Sequence, residues 1–321
     1  MLRRSAPILL APLLLAAAPA PQAPGPAQPP ASPTTAPSPA TPPERIADEF
    51  DGAALSSEWT LFHARYGWPA KIRSLSVEGG LLRLQPFHSA WVRDLNAPFL
   101  FRTVAGDFDV RARVRMKGRK GPIAGGTWSL GGLMARVPNG LDAASWQANR
   151  ENWHFITTGV GYEAGKPVTE TKGTYNSYSS LKLRPWHEGW TELRLVRVGM
   201  ALFALARPDG GGPWRLRDRF YRMEMSPAMQ VGLIAYTTSP DVPPGPEDAR
   251  TENRIANRAA AVDALLEVDW IRAARPAASR PAPAPGDRGA AMAWWYDEVR
   301  GANPLTDPNL PEAEVLRLLG D

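Results

Sequence analysis

The chain predicts an all-β protein, an antiparallel sandwich with a small helical C-terminal tail, and three observations carry that prediction. Ten short runs alternate apolar and polar residues between Gly, Pro, Asn or Asp: GLLRLQP, DFDVRARVR, GGLMARV, WHFITTGVGY, VTETKGTY, SLKLRPW, TELRLVRVG, ALFALARPDG, MQVGLIAYT and LLEVDWIRA. The 28 glycines and 34 prolines mark turns and linkers, and no convincing amphipathic helix lies between the runs. Near the end, AMAWWYDEV and PEAEVLRLLGD read as two short helices, the second with Pro311 in its first turn and Gly320 past its end.

The chain begins MLRRSAPILLAPLLLAAAPAP: two arginines, an apolar stretch of about a dozen residues and then small residues, the pattern of a secretory leader over residues 1–20. That stretch is too short to span a bilayer. Residues 21–44 are rich in Pro, Ala, Ser and Thr and bury nothing that would repay their ordering, so they read as a semi-extended linker. The body is then residues 45–274, followed by a second Pro/Ala linker at 275–289 and the tail at 290–321. Within the body, ARPDGGGPW is a turn by its Asp-Gly and glycine run, and 245–264 reads weakly as a helical insertion in a loop.

All 321 residues include no cysteine, which excludes a lipid-anchored cysteine, a disulfide framework and a thiolate metal site. A secreted or periplasmic location follows from the leader. The net charge of +5 is spread along the chain and rests on arginine, with six lysines in all, so no basic block marks a nucleic-acid partner. No Gly-rich loop opens a helix to cradle phosphate, and no Gly-x-Ser-x-Gly is present for acyl transfer.

The run GDFDVRARVR places Phe108, Val110, Ala112 and Val114 on a dry parity and Asp107, Asp109, Arg111, Arg113 and Arg115 on a wet one. Two carboxylates at i and i+2 stand about 7 Å apart, within the span of a glycosidase pair. The alternative is an ordinary sandwich strand with its charges on the solvated outer face.

In order along the chain, DEFDGAALSSEWTLF, VEGGLLRLQP, GDFDVRARVR, GGLMAR, GWTELRLVRVGMALFALARPDGGGPWRL, MQVGLIAYT and LLEVDWIRA resemble the concanavalin A-like lectin/glucanase superfamily over roughly residues 45–274. The similarity is to its regulator-of-enolase-like members and to the sandwich appended to some family 43 glycosidases. The resemblance implies a two-sheet antiparallel jelly-roll sandwich, one sheet bent into a groove where sugars bind. It also tests the carboxylate pair. Family 16 glucanases of this superfamily carry Glu-x-Asp-x-Glu on one strand face, whereas the same parity here reads Asp107, Asp109, Arg111, and a guanidinium donates no proton at working pH. No catalytic residue is therefore assigned. The family arrangement would also bring Asp48 and Asp51, near the first strand, beside Asp269 in the last, an oxygen-only set suited to a structural calcium ion.

Aromatic residues are the remaining chemical feature. Trp68, Trp128, Trp146 and Trp186 fall in loops, while Trp153, Trp190, Trp214 and Trp270 sit in strand patterns and read as core. A flat apolar face with polar neighbours is what a sugar ring needs, although the same rings also plug sandwich ends. If Leu133 and Ala135 fill the core, Arg136 reaches the groove. The candidate ligand-binding set is Trp128, Arg136, Trp146, Tyr162, Glu170 and Asn176, for a polysaccharide or other glycan held without catalysis. Two alternatives stay open: a glycoside hydrolase or lyase on the same groove, and a scaffold module with a protein partner docked on the Trp294–Trp295 tail.

Overall fold

The structure, a computed structural model, describes residues 42–222, 226–243, 248–279 and 287–321. The expected leader, most of the expected first linker and residues 280–286 of the second lie outside them. Fourteen strands form two seven-stranded antiparallel sheets among the described residues. Sheet A takes β1 (Thr60–Leu61), β4 (Phe99–Ala105), β6 (Ser129–Arg136), β7 (Trp153–Val160), β8 (Pro167–Tyr175), β9 (Tyr178–Pro185) and β13 (Ala228–Tyr236), in the spatial order β1-β4-β13-β6-β7-β8-β9. Sheet B takes β2 (Ile72–Glu78), β3 (Leu81–Pro86), β5 (Phe108–Lys117), β10 (Thr191–Val198), β11 (Ala201–Pro208), β12 (Arg215–Tyr221) and β14 (Leu265–Ala274), in the order β12-β11-β10-β5-β14-β3-β2. The crossovers between the sheets make this a two-sheet antiparallel jelly-roll sandwich.

All ten runs read from the sequence are strands. Those without a clean alternation were missed: β1, β2, β4 and β12. β4 reads FLFRTVA because Phe99 and Phe101 on one face and Leu100 and Val104 on the other are all buried, so it carries no wet parity to detect.

The core lies between the sheets. Phe108, Val110, Ala112 and Val114 of β5 and Leu193 and Leu195 of β10 meet Leu133 and Ala135 of β6 and Val231 and Leu233 of β13, all fully buried. Period two fixes the consequence: the intervening residues of each strand leave the core on the far face of their sheet.

On sheet B that far face is not simply wet. The 12-residue helix α3 (Arg288–Val299), a 3-10 turn at Pro304–Thr306 and α4 (Glu312–Leu318) form the C-terminal segment. Its Leu305, Val315 and Leu319 pack with Val196, Val198, Phe203, Leu205 and Trp214 on that sheet. Asp107 and Asp109, expected in solvent, are therefore 4% and 6% exposed. Asp109 takes Arg194 through Nε at 2.9 Å and Nη2 at 2.8 Å, and Asp107 accepts from the Gly199 N–H at 2.8 Å.

Two tryptophans assigned to the core are elsewhere. Trp190 is half-buried outside the core beneath Arg113 and Arg115, whose guanidinium carbons lie 4.3 and 4.5 Å from its ring. Trp270 follows a bulge between Val268 and Trp270, which reverses the parity read from the sequence and turns the ring to the outer face opposite Arg113. No helix among the described residues is long and apolar enough to cross a membrane.

Candidate functional site

The far face of sheet A is where the groove would lie, and its centre is filled. The short helix α1 (Phe62–Tyr66) and the loop around Trp91 lay Phe62, Tyr66, Trp68 and Trp91 onto Phe99, Phe101, Met134, Trp153, Phe155 and Tyr236. Trp91 and Trp153 are wholly buried, their rings in edge contact at 5.9 Å. Beneath this layer Glu170 of β8 is 0% exposed and paired with Lys172 at 2.9 Å, and it also accepts the Tyr236 hydroxyl. Lys172 donates in turn to the Trp91 carbonyl at 3.0 Å. Glu170 does share the groove parity, but it holds the aromatic layer to the sheet and meets no solvent.

Register then separates the remaining candidates. β6 begins next to Trp128 and ends at Arg136, a distance on the order of 25 Å along an extended strand. At the first end Trp128, half-buried, donates its backbone N–H to the Gly161 carbonyl at 2.8 Å, beside the exposed Tyr162. At the other end Trp146 and Arg136 line one small cavity with Phe62, Asp94, Asn96 and Glu151. Arg136 is parity-correct for the groove yet only 1% exposed: its Nε and Nη2 each donate to Glu151 at 2.7 Å, and its Nη1 to Gln230 at 2.8 Å. Burial opposes its charge, but Glu151 and Tyr66 outweigh that and raise its pKa. Thus the six candidates form two groups at opposite ends of the sheet, with Glu170 sealed between them.

Above Arg136, Trp146 also lines an open cleft of about 590 Å³ with Arg93, Asp94, Asn149, Ser177 and Glu252. Asp94 organises it. One carboxylate oxygen accepts the Ser177 hydroxyl and the other the Asn149 N–H at 3.2 Å, while its carbonyl accepts the Asn253 amide at 2.8 Å. Asn253 closes α2 (Ala249–Asn253), is fully buried, and takes the Asn96 N–H at 2.9 Å and the Lys71 ammonium at 3.4 Å. Burial pulls the Lys71 pKa down to about 8. Asp248 caps α2, accepting from Arg250 N and Thr251 N, and the Thr251 hydroxyl holds its carboxyl below the usual range.

The cleft is also where the backbone departs from ease. Of the six described non-glycine residues with positive φ, Arg93 (53°), Asn149 (60°) and Ser177 (63°) line it, and Asn176 (45°) adjoins it. Asn176 and Ser177 are the two residues turning β8 into β9 between the paired Tyr175 and Tyr178, a geometry that favours Asn-Gly. Serine replaces glycine there because its groups are all used: Ser177 N donates to the Glu151 carbonyl at 2.9 Å, its hydroxyl accepts from Glu151 N at 3.1 Å and also donates to Asp94. Such conformations cost about 1–3 kcal/mol each and persist where surroundings over-determine them, commonly at ligand sites.

The calcium reading finds no support in this arrangement. Asp48 accepts from Phe50 N at 2.9 Å and Trp59 Nε1 at 2.8 Å, Asp269 pairs with Arg113 at 2.9 Å, and no group of three metal-ligating side chains occurs among the described residues. Backbone pairing of Asp48 with Ile271 does bring the first and last segments together, as the resemblance implied, while the carboxylates take other partners.

No protein-family model matches the sequence, and no curated protein does. Among solved structures, the chain is similar to a functionally unknown protein from Saccharomyces cerevisiae, at 15% identity and TM-score 0.47, over 68% of this chain and 97% of that one. It is similar to a GH43 protein from Bacillus licheniformis at 12% identity and TM-score 0.46, over 72% of this chain and 39% of that one. A third similarity, at 13% identity and TM-score 0.40, covers 71% of this chain and 97% of a pseudo beta-1,3-glucanase and immunostimulatory antigen of Mycobacterium tuberculosis.

Proposed function

We propose that this is an exported, non-catalytic carbohydrate-binding sandwich that takes a sugar unit in the cleft beside Trp146. The observation that carries the reading is that cleft of about 590 Å³, in which one half-buried indole is ringed by Arg93, Asp94, Asn149, Ser177 and Glu252 on a strained, heavily bonded frame. Trp146 would cover the C–H face of a pyranose, and the polar ring would meet its hydroxyls. Asn176 stands on the rim, and Arg136 supports the frame from below through Glu151. Trp128 and Tyr162 would be a second platform for a longer chain. Export rests on the leader-like residues 1–20.

Three carboxylates line the cleft, so hydrolysis on the same surface is the second reading. It is the weaker one, because Asp94 and Asp248 are already committed to hydrogen bonds from neighbouring N–H and hydroxyl groups, and a hydrolase needs two carboxyls available to one bond.

A glycan array on the full chain and on Trp146→Ala tests the proposal. The wild type retains a defined neutral or acidic glycan, and the variant, still folded by circular dichroism, loses at least about thirtyfold in affinity, the ~2 kcal/mol of an aromatic anchor. Silence of the folded wild type across the array overturns the reading, and release of reducing ends abolished by Glu252→Gln replaces it with the hydrolase.

A further inference from the structure

The outer face of sheet B carries a second cavity of about 590 Å³, on the opposite sheet from the Trp146 cleft. Cross-strand register explains its lining. One row across β14, β5, β10 and β11 reads Trp270, Arg113, Glu192, Arg207, and the next reads Arg272, Arg111, Arg194, Leu205. Alternation places both rows on the face away from the core.

Three of these arginines are each held by a carboxylate. Arg272 is bidentate to Glu49 at 2.7 and 2.8 Å and lies 4.4 Å from the Trp270 ring. Arg207 reaches Glu192 through Nε at 3.0 Å and Nη2 at 2.7 Å and lies 4.5 Å from Trp214. Arg111 is bidentate to Asp109 at 3.3 and 2.9 Å. In all three pairs Nε and Nη2 are used, and Nη1 has no partner among the described residues.

The acceptors are largely spent, since both Asp109 oxygens are bonded twice, to Arg111 and Arg194. The basin is therefore rich in fixed N–H donors and poor in acceptors. The lining holds Arg111, Arg113, Arg207 and Arg272 against Asp109 and Glu192, and Glu49, Asp209 and Asp269 around it offset most of that excess, so it lacks the long-range field that would gather polyanions. What it suits is one oxyanion at short range, met by planar guanidinium edges whose orientation the paired carboxylates already restrict.

We infer that this basin is a second ligand site, one that binds a single carboxylate or equivalent oxyanion on a small ligand, with a uronic acid-bearing oligosaccharide as the ligand of matching size. The cavity volume suits a ligand of two or three rings. Arg272 and Arg111, cross-strand partners on β14 and β5, supply the donors for the carboxylate, and Arg207 on β11 lines the far side of the basin.

Calorimetric titration of the full chain with tri-galacturonate, with its neutral tri-galactose counterpart and with inorganic phosphate tests the inference. Tri-galacturonate binds, and Arg272→Gln weakens it about tenfold or more, the size of a charge-assisted hydrogen bond. Arg272 is half-exposed and pairs only with the exposed Glu49, so the variant keeps the fold. Arg272→Lys keeps the charge without the fork and stays near the Gln variant. Phosphate binding that Arg272→Gln also weakens supports the oxyanion site and names the free ion as a second source. Arg272→Gln leaves in place the array retention that Trp146→Ala removes, which separates this site from the cleft on sheet A. Equal binding of the neutral trisaccharide, no binding of either anion, or an unaffected Arg272→Gln overturns it.

Discussion

His63 and His154 are both buried, and burial pulls each pKa from 6.5 to about 3. The folded chain thus refuses a proton that the unfolded chain accepts below 6.5. Stability from this source is complete above pH 6.5 and falls as pH drops from there to about 3. Each histidine costs up to about 2 kcal/mol at pH 5. Urea unfolding at pH 7 and pH 5 should show that loss, and His154→Gln should roughly halve it; an unfolding free energy that is flat across the interval contradicts the assignment. Residue-level reading of the sequence succeeded where parity alone decides, as at Phe108, Val110, Ala112 and Val114. It failed to rank the groove residues, because parity gives the face of Glu170 and Arg136 and says nothing about what lies over them.

Among the elements, the C-terminal segment is the least self-sufficient and the most consequential. α3 and α4 have no core of their own, and the buried Leu305, Val315 and Leu319 find theirs on β10 and β11. Arg194, itself fully buried, donates Nη2 to the Leu319 carbonyl at 2.7 Å and pairs with Asp321, so the segment also completes a polar network around Asp109. Leu305→Ala should cost about 2–4 kcal/mol in denaturant unfolding, and removal of residues 287–321 should lower the melting temperature clearly. A truncated chain that melts with the full one would mean that the segment is a free docking arm. Both helices were read from the sequence, the second bounded by Pro311 and Gly320; their seat was not, because Val196 and Phe203 alternate with core residues as any half-wet strand would. The β14 bulge was equally hidden, since a single inserted residue leaves no mark in the pattern of LLEVDWIRA while reversing Trp270.

For the molecule as a whole, the two-sheet plan came from repeated alternation and motif order, which are long-range redundant properties, whereas the site came from loops that only the fold brings together. Asp94, Asn149, Ser177 and Asn253 are far apart in the chain, and no spacing rule joins them. Trp146, which lines the cleft, and Asn176, which adjoins it, were legible as candidates because an aromatic in a loop and an asparagine at a hairpin tip are visible locally. The central claim is that the middle of sheet A is closed by its own aromatics, so that recognition has moved to the cleft at the Arg136 end. The indole N–H spectrum of the chain with its nitrogens labelled, recorded during titration with a glycan that the array retains, tests this most directly. The account predicts that the Trp146 resonance, assigned through Trp146→Phe, shifts on saturation while those of Trp91 and Trp153 stay in place; movement of Trp91 and Trp153 with a stationary Trp146 would contradict it.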